Sequence, residues 1–339
     1  LPFARFNEQE TKVSENKTKK INISPSALYG WLGDRIFAVT IFVLGFIVIF
    51  TTLAMAISLY YEGSEAITKF GFWGFMTGEK WDAAITMEFG SWPFIVGTIS
   101  TSLGALALSF IPAIAIAIFT AEYAPHWLSH IIENLVNLIA AVPSVVIGIW
   151  GVFVFTPWIR DAVYIPVYMW SLENAPSLTP LLGNPIGYGM MTATIILTIM
   201  IIPFTTALTV DAFRMVPVEQ REAASALGAT KWEVIRMAVI PYSRGGILAG
   251  TMLSLGRAIG ETMAVAMLIG NKNTLPFTLF GPGSTMPSVI VNEFREAVEN
   301  IHLTSLMAVG FYLFLISLVV NLVAAYIQRK YAVTGGRAV

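Results

Sequence analysis

Six apolar runs, at about 36–59, 94–120, 131–156, 187–210, 245–270 and 303–327, leave this chain few folds to choose from. Each is close to the ~20 residues that a helix needs to cross the hydrocarbon of a bilayer. Inside that solvent every backbone N–H and C=O must be bonded within the segment, so an isolated run of this length has to be helical. Composition agrees: 56% of the 339 residues are hydrophobic and only 12% charged, against about 25% charged in soluble domains. The expected fold class is therefore all-α, an integral membrane bundle of six transmembrane helices. The first run is too long for a signal-peptide core and no small-residue cleavage site follows it, so it is expected to be retained. Pro112, Pro143 and Pro203 fall inside three of the runs and are expected to kink them.

Around this core, residues 1–33 are polar and of mixed charge, which predicts a cytosolic arm without order of its own. Residues 34–330 form the membrane domain, and 331–339 a cytosolic tail. Basic residues set the expected orientation. Arg5, Lys12, Lys17, Lys19, Lys20 and Arg35 precede the first run; Arg214, Arg221, Lys231, Arg236 and Arg244 sit between the fourth and fifth; Arg329, Lys330 and Arg337 close the chain. The opposite loops hold only Lys69, Lys80, Arg160, Lys272 and Arg295, so both termini are expected on the cytoplasmic side. Those loops (62–92, 157–186, 271–302) are rich in Trp, Tyr, Pro and Gly and predict interfacial anchors with short surface or re-entrant helices. There are no cysteines, hence no disulfides or thiolate metal sites, and a net charge of −1 gives no sign of nucleic-acid binding. No G-x-x-x-x-G-K-[ST] occurs, so the chain does not hold ATP through a P-loop, and no cofactor is expected on it.

Between the fourth and fifth runs lies a charged island, PVEQREAASALGATKWEVIRMAVIP (217–241). Pro217 suits a first helical turn, good helix formers follow, and Gly228 stops the helix as a C′ residue. Thr230 with Glu233 spells a capping box that restarts a second helix running to Pro241. Two short helices around a glycine elbow make a rigid knob, which suits docking to something outside the membrane. Glu222-Ala223-Ala224, then Gly228, then Ala238, Ile240 and Pro241 resemble the EAA loop of ABC importer permeases. Ala238 stands where that family has a larger aliphatic residue. The resemblance implies that Glu222, Ala223, Ala224 and Gly228 belong to coupling helices (about 217–230) seated in a cleft of an ATPase subunit.

Away from the ends of the apolar runs, the formally charged residues are Arg257 and Glu261, in SLGRAIGETMAV. Four apart, they would share a face of a continuous helix. Arg257 would lie about 18 Å along its span, near the midplane, where each charge costs roughly 2.5–3.5 kcal/mol on insertion scales and must face the bundle interior or a polar path. The pair reads either as a mutual ion pair locking the fifth helix or as part of a substrate pathway. Gly256 and Gly260 spell GxxxG, which predicts close helix packing. The hydroxyls at 98–102, Ser144, Thr192, Thr194 and Thr198 could line a pathway or simply bond backbone carbonyls.

The run LGRAIGETMAVAMLIGN, with WGFMTGEKWD, FGSWPFIVGTISTSLGALAL and AAVPSVVIGIWGVFVFTP, resembles the phosphate-specific (Pst) importer permeases, in particular their C-type subunit, from about residue 70 to 330. That resemblance implies a type I ABC importer permease with the MetI-like fold. It implies a second homologous permease, two ATPase subunits that bind the ATP and magnesium, an extracytoplasmic phosphate-binding protein, and a multi-pass site in a prokaryotic inner membrane. Another oxyanion such as sulfate or molybdate is the alternative cargo. An ion-coupled secondary carrier is the alternative class, and no inverted repeat of broken helices is evident in its favour.

Overall fold

The computed structural model describes residues 25–275 and 278–331, with side chains from 34 to 275 and 278 to 330. Of the arm expected at 1–33 and the tail expected at 331–339, residues 1–24 and 332–339 lie outside the described residues, while 25–33 are already helical. The chain divides into two compact units at Ile57 and Ser58. The first holds most of helix α1 (Pro25–Glu62), apolar on every face, with side chains such as Phe42 (74%) and Phe37 (67%) exposed. A helix of that kind wants lipid or another protein around it.

The second unit carries α2 (Ser64–Phe70), α3 (Phe72–Thr77) and a hairpin of β1 (Trp81–Asp82) against β2 (Glu88–Phe89). Then come α4 (Trp92–Tyr123), α5 (His126–Ala141), α6 (Ser144–Asn174), α7 (Met190–Arg214), α8 (Val218–Ala226) and α9 (Lys231–Val234). Helices α10 (Arg244–Gly260), α11 (Met263–Leu268), α12 (Met286–Glu293) and α13 (Asn300–Tyr331) complete it. Five described helices are long and apolar enough to cross a membrane: Asp34–Glu62, α4, α6, α7 and Asn300–Lys330.

Two of the six expected crossings differ from a single rod. Pro143 does not kink a helix but ends one: Val142 and Pro143 are extended (ψ 128° and 136°), separating α5 from α6. A residue before proline is pushed out of the α region, and Val142 follows that preference. Helix α6 then runs on to Asn174 through π turns at Gly151–Phe155 and Arg160–Tyr164, absorbing half of the loop expected at 157–186. The crossing expected at 245–270 is likewise split, into α10 and α11. By contrast α4 and α7 continue through Pro112 and Pro203.

The two split crossings pack on each other. A Cβ on Gly148 would meet Ala264 Cα at 3.1 Å, and one on Gly151 would meet Leu268 Cδ1 at 2.8 Å, so both glycines are there to let α6 approach α11. Around them Tyr164, Ile196, Leu197, Ile201, Val265 and Leu268 form the central core. Tyr164 stacks on Phe280 at 4.2 Å between centroids and bonds Thr192 Oγ1 through its hydroxyl at 2.8 Å, which ties α6 to the start of α7. A second core collects Phe75, Trp81, Phe89, Phe94, Met286 and Tyr312. Glu293 is the polar knot beside it, accepting from Trp81 Nε1 (2.8 Å) and Asn273 Nδ2 and facing His302 Nε2 (2.8 Å). A third core, of Ala117, Val210, Phe213, Val216, Val239 and Ile247, underlies the knob.

Many of the buried hydroxyls bond carbonyls rather than a pathway. Thr98 and Thr101 donate to Phe94 and Gly97 carbonyls at 2.8 Å, and Thr194 and Thr198 to Met190 and Thr194 at 2.7 and 2.8 Å.

Candidate functional site

The knob is built as its residues specify. Helix α8 is capped at its C-terminus by Gly228 at φ +82°, a conformation natural to glycine. Gly228 N–H donates to Ser225 O (2.9 Å) and Ala229 N–H to Ala224 O (3.4 Å), the paired bonds of a Schellman end. Thr230 and Glu233 form the reciprocal capping box: Glu233 N–H donates to Thr230 Oγ1 (3.4 Å) and Thr230 N–H to Glu233 Oε2 (2.7 Å). Pro217 sits one place earlier than expected, as the N-cap of α8. The second helix continues through a π turn (Ile235–Val239) past Pro241 to Tyr242.

Helix α8 buries no residue. Glu222 and Ala223 are exposed and Ala224 half-buried. Leu227 is 90% exposed, and Val218, Trp232 and Met237 also stand in the open. A solvated knob with this many uncovered apolar side chains has the surface character of a docking site.

What the sequence did not reveal is how the knob is pinned. Arg221 Nη1 lies 3.0 Å from Glu122 Oε1 in the π turn that ends α4, and its Nη2 donates to Phe213 O at 2.6 Å. Arg214 bonds Glu133 and donates to Ser129 Oγ at 2.8 Å, both on α5. Lys231 Nζ lies 4.6 Å above the Tyr123 ring. Arg214, Arg221 and Lys231 read in sequence as orientation signals; here Arg221 and Lys231 also clamp α8 and α9 to the ends of α4 and α7, and Arg214 ties α7 to α5. Glu122 in an otherwise apolar stretch is the signal that could have found the clamp.

At the second candidate site, α10 ends at Gly260. Glu261 is extended (ψ 123°), and Thr262 Oγ1 donates to Gly260 O at 3.1 Å before α11 begins. Thr262 is the N-cap residue of α11 without a side-chain capping bond, and the extended backbone at Glu261 is what separates the two helices within the apolar run. Arg257 and Glu261 therefore do not share a continuous helical face, and among the described residues they form no ion pair. The guanidinium of Arg257 instead lies 4.3 Å over the Phe204 ring of α7. Arg257 is exposed and Glu261 half-buried. The mutual lock is thus not what the structure contains: one cation projects from the chain's own surface within an apolar helix. Its position in the last turn of α10 also suits the helix dipole.

Helix α10 is fixed against α7 by Thr205 Oγ1 to Ser254 Oγ (2.7 Å) and Ser243 Oγ to Ala212 O (3.0 Å). The close helix contact is made by Gly246, against Ala212, and Gly250, where a Cβ would lie 3.1 Å from Leu208 Cβ. The expected pair does less: a Cβ on Gly256 would meet Asn321 Oδ1 at 3.4 Å, and one on Gly260 would meet nothing within 4 Å.

A bundle of membrane-spanning helices with a capped knob between its fourth and fifth crossings is the frame of a membrane transport component. The chain belongs to the family described as binding-protein-dependent transport system inner membrane component, whose pattern matches residues 113–333. Among its relatives are the phosphate transport system permease protein PstC of Mesorhizobium japonicum, 41% identical over 300 residues (88% of this chain, 91% of that protein). The protein of the same name from Haemophilus influenzae is 37% identical over 91% of this chain and 96% of its own length. PstC 2 of Mycobacterium tuberculosis is 33% identical over 96% and 99%. The fold is similar to that of chains in two solved transporters. One is the inward-facing MetNI methionine ABC transporter (TM-score 0.52, 16% identity, 70% of this chain and 94% of that one). The other is a bacterial ABC transporter importing the acidic polysaccharide alginate (TM-score 0.54, 14%, 91% and 98%). The broken crossings, which would otherwise favour a secondary carrier, are here a feature of an ABC importer permease.

Proposed function

We propose that this chain is the permease subunit of an ATP-driven importer that moves inorganic phosphate into the cytoplasm. Arg257 and Glu261 border the ion's path, and Glu222, Ala223, Ala224 and Gly228 form the seat for an ATPase subunit. The observation that carries the reading is Arg257: a cation exposed in an apolar helix, beside a carboxylate it does not pair with. Such a group needs something to face, and a tetrahedral oxyanion accepts the fork of a guanidinium well. Glu261 supplies the discrimination. At neutral pH phosphate keeps at least one proton and can donate to a carboxylate, whereas sulfate meets only repulsion. The relatives named for phosphate transport support the same cargo.

The remaining parts of the machine follow from the family. A second permease completes the path; two ATPase subunits bind ATP and magnesium and receive the knobs; an extracytoplasmic binding protein delivers phosphate. The knob and both termini face the cytoplasm of a prokaryotic inner membrane, in line with the basic residues.

Uptake of labelled phosphate and sulfate into vesicles, at matched amounts of assembled complex, tests the site. Arg257→Lys is expected to cut phosphate uptake about 100-fold, as removal of a placed donor does elsewhere, and Glu261→Gln to lose uptake or admit sulfate. Wild-type phosphate rates in both variants would remove the pair from the path. Ala223→Asp should release the ATPase while the chain still inserts. For orientation, a cysteine at Val298, which is 92% exposed, should react with an impermeant reagent from outside sealed cells, and one at Ser225 should not.

A further inference from the structure

Helices α4, α10 and α13 leave an open groove of about 430 Å³ at the end of the bundle next to the knob. Its walls are Phe110 and Ile114 of α4, Ile240, Ile247 and Leu248, and Ile327 of α13; its one charged member is Arg244. Arg244 opens α10, is exposed, and has no hydrogen bond, ion pair or ring contact among the described residues. We infer that this groove is a binding site for one anionic phospholipid of the cytoplasmic leaflet, an acyl chain lying along the apolar wall and the headgroup phosphodiester on Arg244.

Three observations select that occupant. Charge comes first. An unpaired guanidinium at the mouth of a wholly apolar groove asks for a ligand that is anionic at one end and hydrocarbon at the other. A phosphodiester accepts two parallel N–H bonds from it. Depth is the second. Arg244 stands where the chain enters the bundle from the knob, with Tyr242 and Tyr326 exposed beside it and Arg329 and Lys330 less than a turn beyond Ile327. Tyrosines and basic side chains at that level mark the headgroup layer.

Direction is the third. Helix α10 is unbroken from Arg244 to Gly260. At roughly 100° per residue, Leu248 lies about 180° and Arg244 about 220° around the axis from Arg257. The groove thus faces away from the side that carries Arg257, where the second permease is expected. In this respect, and in the choice of leaflet, the inference rests on the function proposed above.

The test uses the assembled complex in nanodiscs of equal phosphatidylcholine and phosphatidylglycerol, washed in detergent and weighed by native mass spectrometry. The wild type should retain phosphatidylglycerol in preference to phosphatidylcholine. Arg244→Gln should reduce that preference about fivefold, the contribution of one basic residue near an anionic surface. Arg244→Lys should keep most of it, and Leu248→Trp, which fills the groove and leaves the charge, should lose the retained lipid. Equal retention of both lipids by the wild type, or a preference that survives Arg244→Gln, would overturn the site. So would efficient cross-linking of a cysteine at Leu248 to the second permease, because the groove would then hold protein. Lipid retention does not depend on transport, so a failure here and a failure of the Arg257 variants are separate results.

Discussion

The knob and the break at Glu261 are held in opposite ways. Almost every polar group that shapes the knob has a partner within the chain. The Schellman end and the capping box close the helix termini, and Arg214, Arg221 and Lys231 reach back to Glu133, Glu122 and Tyr123. At the break, among the described residues, Arg257 rests on the Phe204 ring alone and Glu261 pairs with no side chain. The difference fits what each region must do. A knob that passes on movement must be stiff and must move with the helices it is tied to. A group that hands an ion along must keep its hydrogen-bonding capacity unspent.

The contrast breaks most visibly at Arg221. Glu122 is only 9% exposed, and Arg221 28%. Arg221→Gln leaves a mostly buried carboxylate without its counter-charge and is expected to cost about 2 kcal/mol, less than a fully buried pair because water still reaches the arginine. Proteolysis between 215 and 230 should speed up and ATPase association should fall, while the complex remains able to bind phosphate. A variant that cleaves and couples like the wild type would mean that α8 is not held by this clamp.

Much of this could be read from the residues, and the limits have physical causes. Gly228, Thr230 and Glu233 are local signals: each acts within four residues, so the knob follows from the sequence almost bond by bond. The break at Glu261 was hidden because the run 245–270 is apolar enough to pass for one span. Gly260 and Thr262, which end and restart the helix, resemble ordinary small residues of a membrane interface. Pro143 was visible, but whether a proline kinks or ends a helix depends on what packs around it. The same residue type continues a helix at Pro112 and Pro203. Glu122 alone marked the clamp, and its partner was beyond reach for another reason. Glu122 and Arg221 are far apart in the chain and meet only once α4 and α7 lie side by side. The partner of Arg257 was also unforeseeable, since Phe204 is one aromatic among many in the apolar runs.

That partner gives a smaller prediction. Phe204→Leu keeps the apolar volume but removes the ring face under the guanidinium, a contact worth about 0.5–1 kcal/mol at exposed sites. If the ring positions Arg257, the apparent KM for phosphate should rise about two- to fivefold with assembly unchanged, and Phe204→Tyr should restore it. An unchanged KM would leave Arg257 positioned by α10 alone.

The smallest effect concerns the cap of α9, where pH acts on the knob and not on the break. Bonds from Thr230 N–H and then from its hydroxyl hold the Glu233 carboxyl below its ordinary value of 4.5. A carboxylate whose folded value is depressed adds stability that is fully present above the unfolded value and disappears as pH falls through the folded one. The cap should therefore be intact at neutral pH and begin to open only below about pH 4.5. Because Glu233 is exposed, only the first turn of α9 should respond. Hydrogen exchange of the amides at 231–234, corrected for its intrinsic pH dependence, should accelerate over that acidic range in the wild type. In Glu233→Gln, which has no carboxyl to titrate, the same amides should exchange without that step. Were the step to persist in the glutamine variant, another acid would have to govern the cap, and the knob would be less self-contained than its hydrogen bonds make it.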